Sequence, residues 1–202
     1  MIKIPLKMGL FMYFSKSRIR LCISLFALLL FSSAAWAGTL NMVYERSILD
    51  SSGNAIGYEK EIVSSPDSLS SSNPWKSYLN QKVDSRSLFN YAKDISTLLS
   101  KPITINLSDR NQISSSCKDA YGYRIDLYKH VTQYASADSQ KFVFLHELGH
   151  VAMLNAYPSY YNFSNLNYGS DNVHYMDEIL PNYSTAWIEG WANAFAAIKN
   201  NG

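Results

Sequence analysis

Three residues of one short run have the types and the spacing of a metal-dependent hydrolytic centre. His146, Glu147 and His150 lie within a mainly apolar run, residues 142–150. Residues four apart on a helix differ by about 40° in direction, so the two imidazoles share a face and can ligate one Zn²⁺. Glu147 is rotated by about 100° from His146, which favours a place beside the metal, where a carboxylate can act as a base on water. The chain has four His, so two of them falling into this pattern by chance is a poor explanation.

A catalytic zinc needs a third protein ligand and leaves its fourth position to water. Met153 and Ala156 stand where the metzincin pattern has Gly and His, so that pattern is excluded. The downstream candidates are Asp171, His174, Asp177, Glu178 and Glu189. Glu189 stands out because it lies between Ile188 and Gly190 in an aromatic-rich run, where a buried carboxylate needs a cation. The alternative is a glutamate on the exposed face of a helix.

Two helices must position these side chains. The first is predicted over residues 138–155, with an apolar stripe that consists of Phe142, Leu145, Gly149 and Met153. A glycine inside a helix costs about 1 kcal/mol, so Gly149 indicates close approach of another backbone. The second helix is predicted over 184–199, with Ser184 as its cap and Glu189 in its second turn.

The rest of the chain predicts a small sheet and further helices. Residues 39–49 and 56–63 flank a Gly/Asn-containing turn and predict a hairpin. Asn73 and Pro74 have the types of a helix cap and a first helical residue. Helical spacing of apolar residues runs from Asp84 to Leu99, and two strands follow, at 103–107 and 121–128.

These elements predict an α+β fold in which a small zincin-like sheet packs on the helix with the His pair. The helix that carries Glu189 crosses beneath. A substrate peptide in extended form is expected along an edge strand of the sheet, and either 103–107 or 121–128 is a candidate for that edge. The Tyr- and Asn-rich segment 157–172 is suited to covering a cleft, or else it is a simple connector.

The N-terminus has the layout of a secretory signal peptide. Residues 1–37 contain five Lys or Arg and no acid, then an apolar run at 21–31, then small residues with Ala35 and Ala37 at positions −3 and −1. Cleavage is expected after Ala37, leaving 38–202 as one exported domain with no stable membrane insertion. The apolar run is short beside the ~20 residues that span a bilayer, although an uncleaved anchor is the alternative.

Charge and cysteine content exclude two classes of protein. The part of the chain beyond residue 37 contains 13 of the 18 basic residues and all 16 acidic ones. It is therefore slightly acidic and poorly suited to binding nucleic acid. The two Cys rule out a disulfide scaffold. Cys117 is the one thiol of the mature chain, so no internal disulfide is expected.

His-Glu-x-x-His on one helix, followed by Glu-Gly-x-Ala at 189–192, resembles the gluzincin group of zinc metallopeptidases, the thermolysin-like and aminopeptidase-like zincins. The resemblance covers residues 138–199 and implies Glu189 as the third zinc ligand beside His146 and His150. The interval of 38 residues between His150 and Glu189 is longer than in familiar members. Familiar members also continue into a further helical subdomain, so a minimal peptidase or a fragment is expected.

The expected function is therefore that of an exported zinc peptidase acting on peptides or proteins, with Glu147 as general base. An oxyanion donor is expected among His174, Tyr175 and Tyr183. Asn193, four residues after Glu189, is placed to orient a His ligand, unless it is an ordinary surface residue. Two other classes stay open: a catalytically silent zinc-stabilised binding domain, and a zinc amidase acting on a cell-wall amide. Glu147 favours an enzyme, because a structural zinc site needs no base.

Overall fold

The computed structural model describes residues 38–118, 120–157 and 183–200. The predicted signal peptide, residues 1–37, lies outside them, as does the predicted loop beyond Tyr157. The same holds for the ligand and oxyanion candidates Asp171, His174, Tyr175, Asp177 and Glu178. No helix in the described ranges has the length and the apolar character needed to cross a bilayer.

Five strands form a mixed sheet, and two very short strands form a separate hairpin. In chain order the strands are β1 (Leu40–Leu49), β2 (Ala55–Ile62), β3 (Lys82–Val83), β4 (Arg86–Ser87), β5 (Ile103–Ser108), β6 (Ser115–Lys118) and β7 (Tyr123–Tyr128). The large sheet has the order β2-β1-β5-β7-β6, and β3 pairs with β4. β1, β5 and β7 are parallel, whereas β2 and β6 run antiparallel to their neighbours.

The predicted hairpin and both predicted strands are confirmed, with two corrections. Tyr121 precedes β7 and is 88% exposed, so it is not part of the alternating strand. The expectation that β5 or β7 forms an edge is wrong, because each of them pairs with a neighbour on both sides. The edges are β2 and β6, and β6 is a strand that periodicity did not predict.

The helices are α1 (Pro74–Asn80), α2 (Leu88–Ser96), α3 (Ala137–Ala156) and α4 (Tyr183–Asn200). The Asn73 side chain accepts a hydrogen bond from the Trp75 N–H at 2.9 Å, so the predicted cap of α1 is confirmed. α2 begins later than predicted, because Asp84 and Ser85 have φ angles of 48° and 67° and make the turn between β3 and β4. Ser184 lies inside α4, so its predicted role as the cap is wrong.

The core lies between one face of the sheet and the helices. β5 and β7 alternate along their length, and their inner residues pair directly, Ile105 with Ile125 and Leu107 with Leu127. All four are fully buried in the same cluster as Phe144 of α3. α3 packs against β6 and β7 of this sheet, and it carries the His pair.

Candidate metal centre

The predicted ligands come from two antiparallel helices that pack against each other. His146 and His150 lie one turn apart near the middle of α3, and Glu189 lies in the second turn of α4. The direction of the helices follows from a bond between their far ends, where the Asn200 side chain donates to the Asp138 carbonyl at 3.2 Å. All three predicted ligand residues are buried, and Glu189 is only 1% exposed.

Three side-chain atoms form a nearly equilateral triangle. The Nε2 atoms of His146 and His150 are 3.0 Å apart, and Oε2 of Glu189 lies 3.2 Å from the first and 3.3 Å from the second. Ligands held tetrahedrally about 2.0–2.1 Å from one zinc ion lie about 3.3 Å from one another. The donor set, two imidazole nitrogens and a carboxylate oxygen, also suits zinc. Within the described ranges this is the one group of three such side chains whose ligand atoms come within 4.8 Å.

Asn193 fixes the orientation of the first imidazole. Its side-chain oxygen lies 2.8 Å from Nδ1 of His146. An amide oxygen only accepts, so Nδ1 of His146 carries the proton and donates, and the lone pair of Nε2 faces the triangle. The arrangement is the one by which a second residue usually sets the tautomer of a metal-binding histidine. Asn193 and Glu189 thus act from one face of α4, as their spacing of four residues predicts.

The electrostatic surroundings favour a cation at the triangle. Burial lowers the pKa of His146, but the hydrogen bond to Glu189 and the charges of Glu147 and Glu189 outweigh it, so the net pKa is raised. A raised pKa means that the surroundings of His146 stabilise a positive charge even though the side chain is buried. A proton on the imidazole and a metal ion at Nε2 compete for the same environment.

The close approach predicted from Gly149 is confirmed. A Cβ atom at this position would lie 3.0 Å from Cα of Ala192 and 3.2 Å from Cβ of Phe195, both on α4. Real Cβ atoms seldom come so near to backbone, so the glycine sets the distance between the helices. That distance in turn allows the short carboxylate arm of Glu189 to reach both imidazoles.

Glu147 follows His146 on α3 and is not one of the three residues that form the triangle. It is 6% exposed, and its helical position turns it away from the His pair by about a quarter of a turn. Its charge acts on α1 as well. Burial raises the pKa of Tyr78, and the negative charge of Glu147 raises it further. Glu147 is thus a buried carboxylate that directly follows the first histidine on α3.

A cavity that the sequence did not predict is lined by Phe142, whose ring stacks on the first histidine. Phe142, one turn before His146, stacks on its imidazole with ring centroids 6.4 Å apart and planes inclined by 28°. Together with Tyr134 and Val143, it lines a cavity of about 470 Å³ that extends to Asp138 and Asn200. The i, i+4 spacing of Phe142 and His146 was the available signal. Tyr183, an oxyanion candidate within the described residues, is 96% exposed.

Comparison with known proteins gives one match. A family profile described as Mycolysin C-terminal domain matches residues 91–202, which include α3, α4 and all four predicted site residues. A search of curated proteins and a search of solved structures each find no similar protein. The matched family is associated with secreted, zinc-dependent metallopeptidases of the mycolysin kind. Because the match covers more than half of the chain, the protein belongs to the Mycolysin C-terminal domain family.

Proposed function

We propose that the protein is an exported zinc-dependent peptidase of the gluzincin type, with His146, His150 and Glu189 as the zinc ligands. The observation that carries the proposal is the triangle of Nε2, Nε2 and Oε2 atoms, whose sides of 3.0–3.3 Å match one tetrahedral zinc. The family match supports it independently, since it associates the chain with metallopeptidases. Export through cleavage after Ala37 is part of the same proposal, and N-terminal sequencing of the secreted protein tests it.

The fold is proposed to be zincin-like. α3 packs against the β6–β7 edge of the sheet, and α4 lies antiparallel to α3 and supplies Glu189. A bound zinc ion supplies Lewis acidity that activates water and polarises a carbonyl group at neutral pH. Two neutral imidazoles and one carboxylate leave a net charge of +1 at the centre, which preserves that acidity.

Glu147 is proposed as the general base. Its carboxylate takes a proton from the attacking water and delivers it to the departing amine nitrogen, so that one group serves both transfers. Most of its side chain is buried, which restricts the orientations that the carboxylate can adopt. A purely structural zinc site needs no such group, and this favours an enzyme over a silent zinc-stabilised domain.

The substrate is proposed to be a peptide in extended form. β6 is the edge strand beside β7, and α3 packs directly against it, so a peptide added at that edge would run past the His pair. The cavity beside Phe142 and Val143 is mainly apolar in its lining, and the ring of Phe142 stacks on His146. We therefore expect an apolar side chain of the substrate to enter it.

The variant Glu147→Gln tests this function. It keeps the size of the side chain but cannot accept the proton, so turnover of a mixed peptide library should fall by about 10²–10⁴-fold. Zinc content, measured by mass spectrometry of the purified mature protein, should stay at one ion per chain. Glu61→Gln is the matched control, because Glu61 is an exposed glutamate of β2 that lines neither the triangle nor the cavity.

Two results would contradict the proposal. Parental turnover in Glu147→Gln would remove Glu147 from the mechanism. A parent protein that binds zinc and cleaves no member of a broad library would favour the silent binding domain, or an amidase if cell-wall amides are cleaved instead.

A further inference from the structure

A groove separate from the metal centre opens beside the first strand. Its volume is about 700 Å³, a size typical of ligand-binding pockets. One wall is the beginning of β1, residues 38–43, and the end of β2 closes one side. The opposite wall is a single face of α2, which contributes Phe89, Lys93 and Ser96, together with Thr97, the residue that caps the helix. The groove therefore lies between a strand and a helix.

The strand wall presents backbone groups to the groove. The Thr39 carbonyl accepts from Ile103 of β5, and the Met42 carbonyl accepts from Val63 on the opposite side, both at 2.9 Å. Backbone groups alternate in direction along a strand, so the N–H and C=O of Leu40 and the N–H of Met42 point away from β5. Pairing with β2 begins only at Val43. In the part of the chain that the structure describes, no backbone group pairs with Leu40 on this side.

The side chains around the groove add two further preferences. Ile62, at the end of β2, is 81% exposed, and Phe89 is half-buried, so apolar surface is available on both sides. Lys93 is exposed and forms no ion pair with any carboxylate in the described ranges. A ligand that satisfies all of these groups has an extended backbone, an apolar side chain and a negative charge.

We propose that this groove binds an extended segment of another polypeptide by strand addition to β1. The segment's backbone pairs with Leu40 and Met42, an apolar side chain packs against Ile62 and Phe89, and a carboxylate meets Lys93. A row of backbone donors and acceptors at strand spacing favours a polypeptide over a compact small molecule. Because β1 is separated from β7 by β5, this docking site is distinct from the substrate edge at β6. The inference does not depend on the metal centre.

The test uses the mature protein and a defined probe. The probe is a short fluorescein-labelled peptide of alternating Val and Thr that ends in Glu with a free carboxylate. Saturable binding is expected by fluorescence anisotropy, with mass spectrometry verifying that the peptide stays intact. Amide hydrogen exchange followed by NMR should slow at Leu40 and Met42 on binding. Exchange at Asn41 should not change, since its backbone faces β5.

Variants of the protein and of the peptide distinguish strand addition from nonspecific binding. Lys93→Glu should weaken binding by about tenfold, because a charge-assisted contact is replaced by repulsion. Lys129→Glu, at an exposed lysine outside the groove, is the control and should leave binding unchanged. In an extended peptide, alternate N–H groups point to opposite sides. N-methylation of the set that points to β1 should abolish binding, and N-methylation of the other set should be tolerated.

Three outcomes would overturn the proposal. The first is unchanged exchange at Leu40 and Met42 with saturating peptide. The second is equal binding of both N-methylated registers. The third is protection of Leu40 and Met42 without peptide together with a concentration-dependent dimer, which would assign the groove to a second copy of the chain.

Discussion

Nδ1 of His146 donates a hydrogen bond of 2.8 Å to the side-chain oxygen of Asn193. The two residues lie on different helices, so the orientation of the imidazole depends on how α3 and α4 pack. The same helix face that supplies the acceptor also supplies Glu189, four residues earlier. In the proposed zinc site, α4 therefore supplies one ligand, Glu189, and also orients another, His146.

Replacing Asn193 tests this coupling. Asn193→Ala should lower zinc affinity by roughly 10–100-fold, since the imidazole loses the partner that fixes its tautomer. Affinity is measured by competition with a chromophoric chelator. Asn193→Asp keeps an acceptor and should stay near the parent, and Asn90→Ala, at an exposed position of α2, is the control. Equal affinity for parent and Asn193→Ala would show that Asn193 does not act on the metal site.

A pair of glycines on the facing helices provides a second prediction. Gly149→Ala should lower the free energy of unfolding by about 1–3 kcal/mol, because its Cβ would lie 3.0 Å from Cα of Ala192. Zinc affinity should fall as well, since α4 must move outward and take Glu189 with it. Gly190→Ala is the matched control. No described atom lies within 4 Å of its Cβ, and it should gain up to about 1 kcal/mol from helix propensity.

Chemical denaturation and zinc titration of both variants measure these effects. If Gly149→Ala were as stable as Gly190→Ala, the contact between the helices would not limit their separation.

Removal of the metal provides a third prediction. Only the folded chain brings Glu189 to the His pair, so zinc should stabilise the native state. At free zinc of about 100 times the dissociation constant, the gain is about 2.7 kcal/mol. Chelation should therefore lower the melting temperature of the parent, measured by calorimetry. Glu189→Ala should respond much less, and an equal response in both would place the third ligand elsewhere.

Glu45 provides a prediction about pH. Ser108 donates to its carboxylate at 2.7 Å and Arg110 at 2.8 Å. Burial raises the pKa of Glu45, but these hydrogen bonds and the charge of Arg110 lower it to below the ordinary value of 4.5. A carboxylate whose folded pKa is lowered stabilises the protein above its unfolded pKa, and this stabilisation is lost as pH falls through the folded pKa.

The unfolding free energy of the parent should thus decline below pH 4.5 more steeply than that of Glu45→Gln. Urea denaturation at a series of pH values measures the difference, with Glu61→Gln on the exposed edge strand as the control. Parallel pH profiles for the parent and Glu45→Gln would contradict the role assigned to this carboxylate.

The helices of the metal centre could be predicted because their signals are local. The spacing of His146 and His150 defines one helix face, and a glycine at 149 indicates a close neighbour before any partner is known. The pairing of Glu189 with that face needed the tertiary packing of α3 and α4, which periodicity does not contain. Among the five candidates for the third ligand, Glu189 could be favoured for two reasons: a buried carboxylate is costly without a cation, and its motif resembles that of the gluzincins.

The order of the sheet could not be predicted for a related reason. β5 and β7 have alternating or apolar sequences that are compatible with both edge and interior positions. β6 is four residues long and too short for a periodic signal, so the edge that it forms was missed. The turn at Asp84 and Ser85 requires positive φ angles, and neither Asp nor Ser indicates this conformation as strongly as glycine does. The groove at β1 depends on where β2 stops pairing, and sequence patterns do not show this.

The central pairing of the sheet has a consequence for the rate of folding. Leu40 of β1 pairs with Ile103 of β5, and Ile103 pairs in turn with Tyr123 of β7. The sheet therefore joins residues far apart in the chain, whereas the backbone hydrogen bonds within α1 and α2 join residues only a few positions apart. Contacts of large sequence separation require loop closure before they contribute stability, so they slow folding. During synthesis the N-terminal hairpin must wait for β5 to emerge before it acquires its parallel partner, and until then the inner edge of β1 is open to other chains.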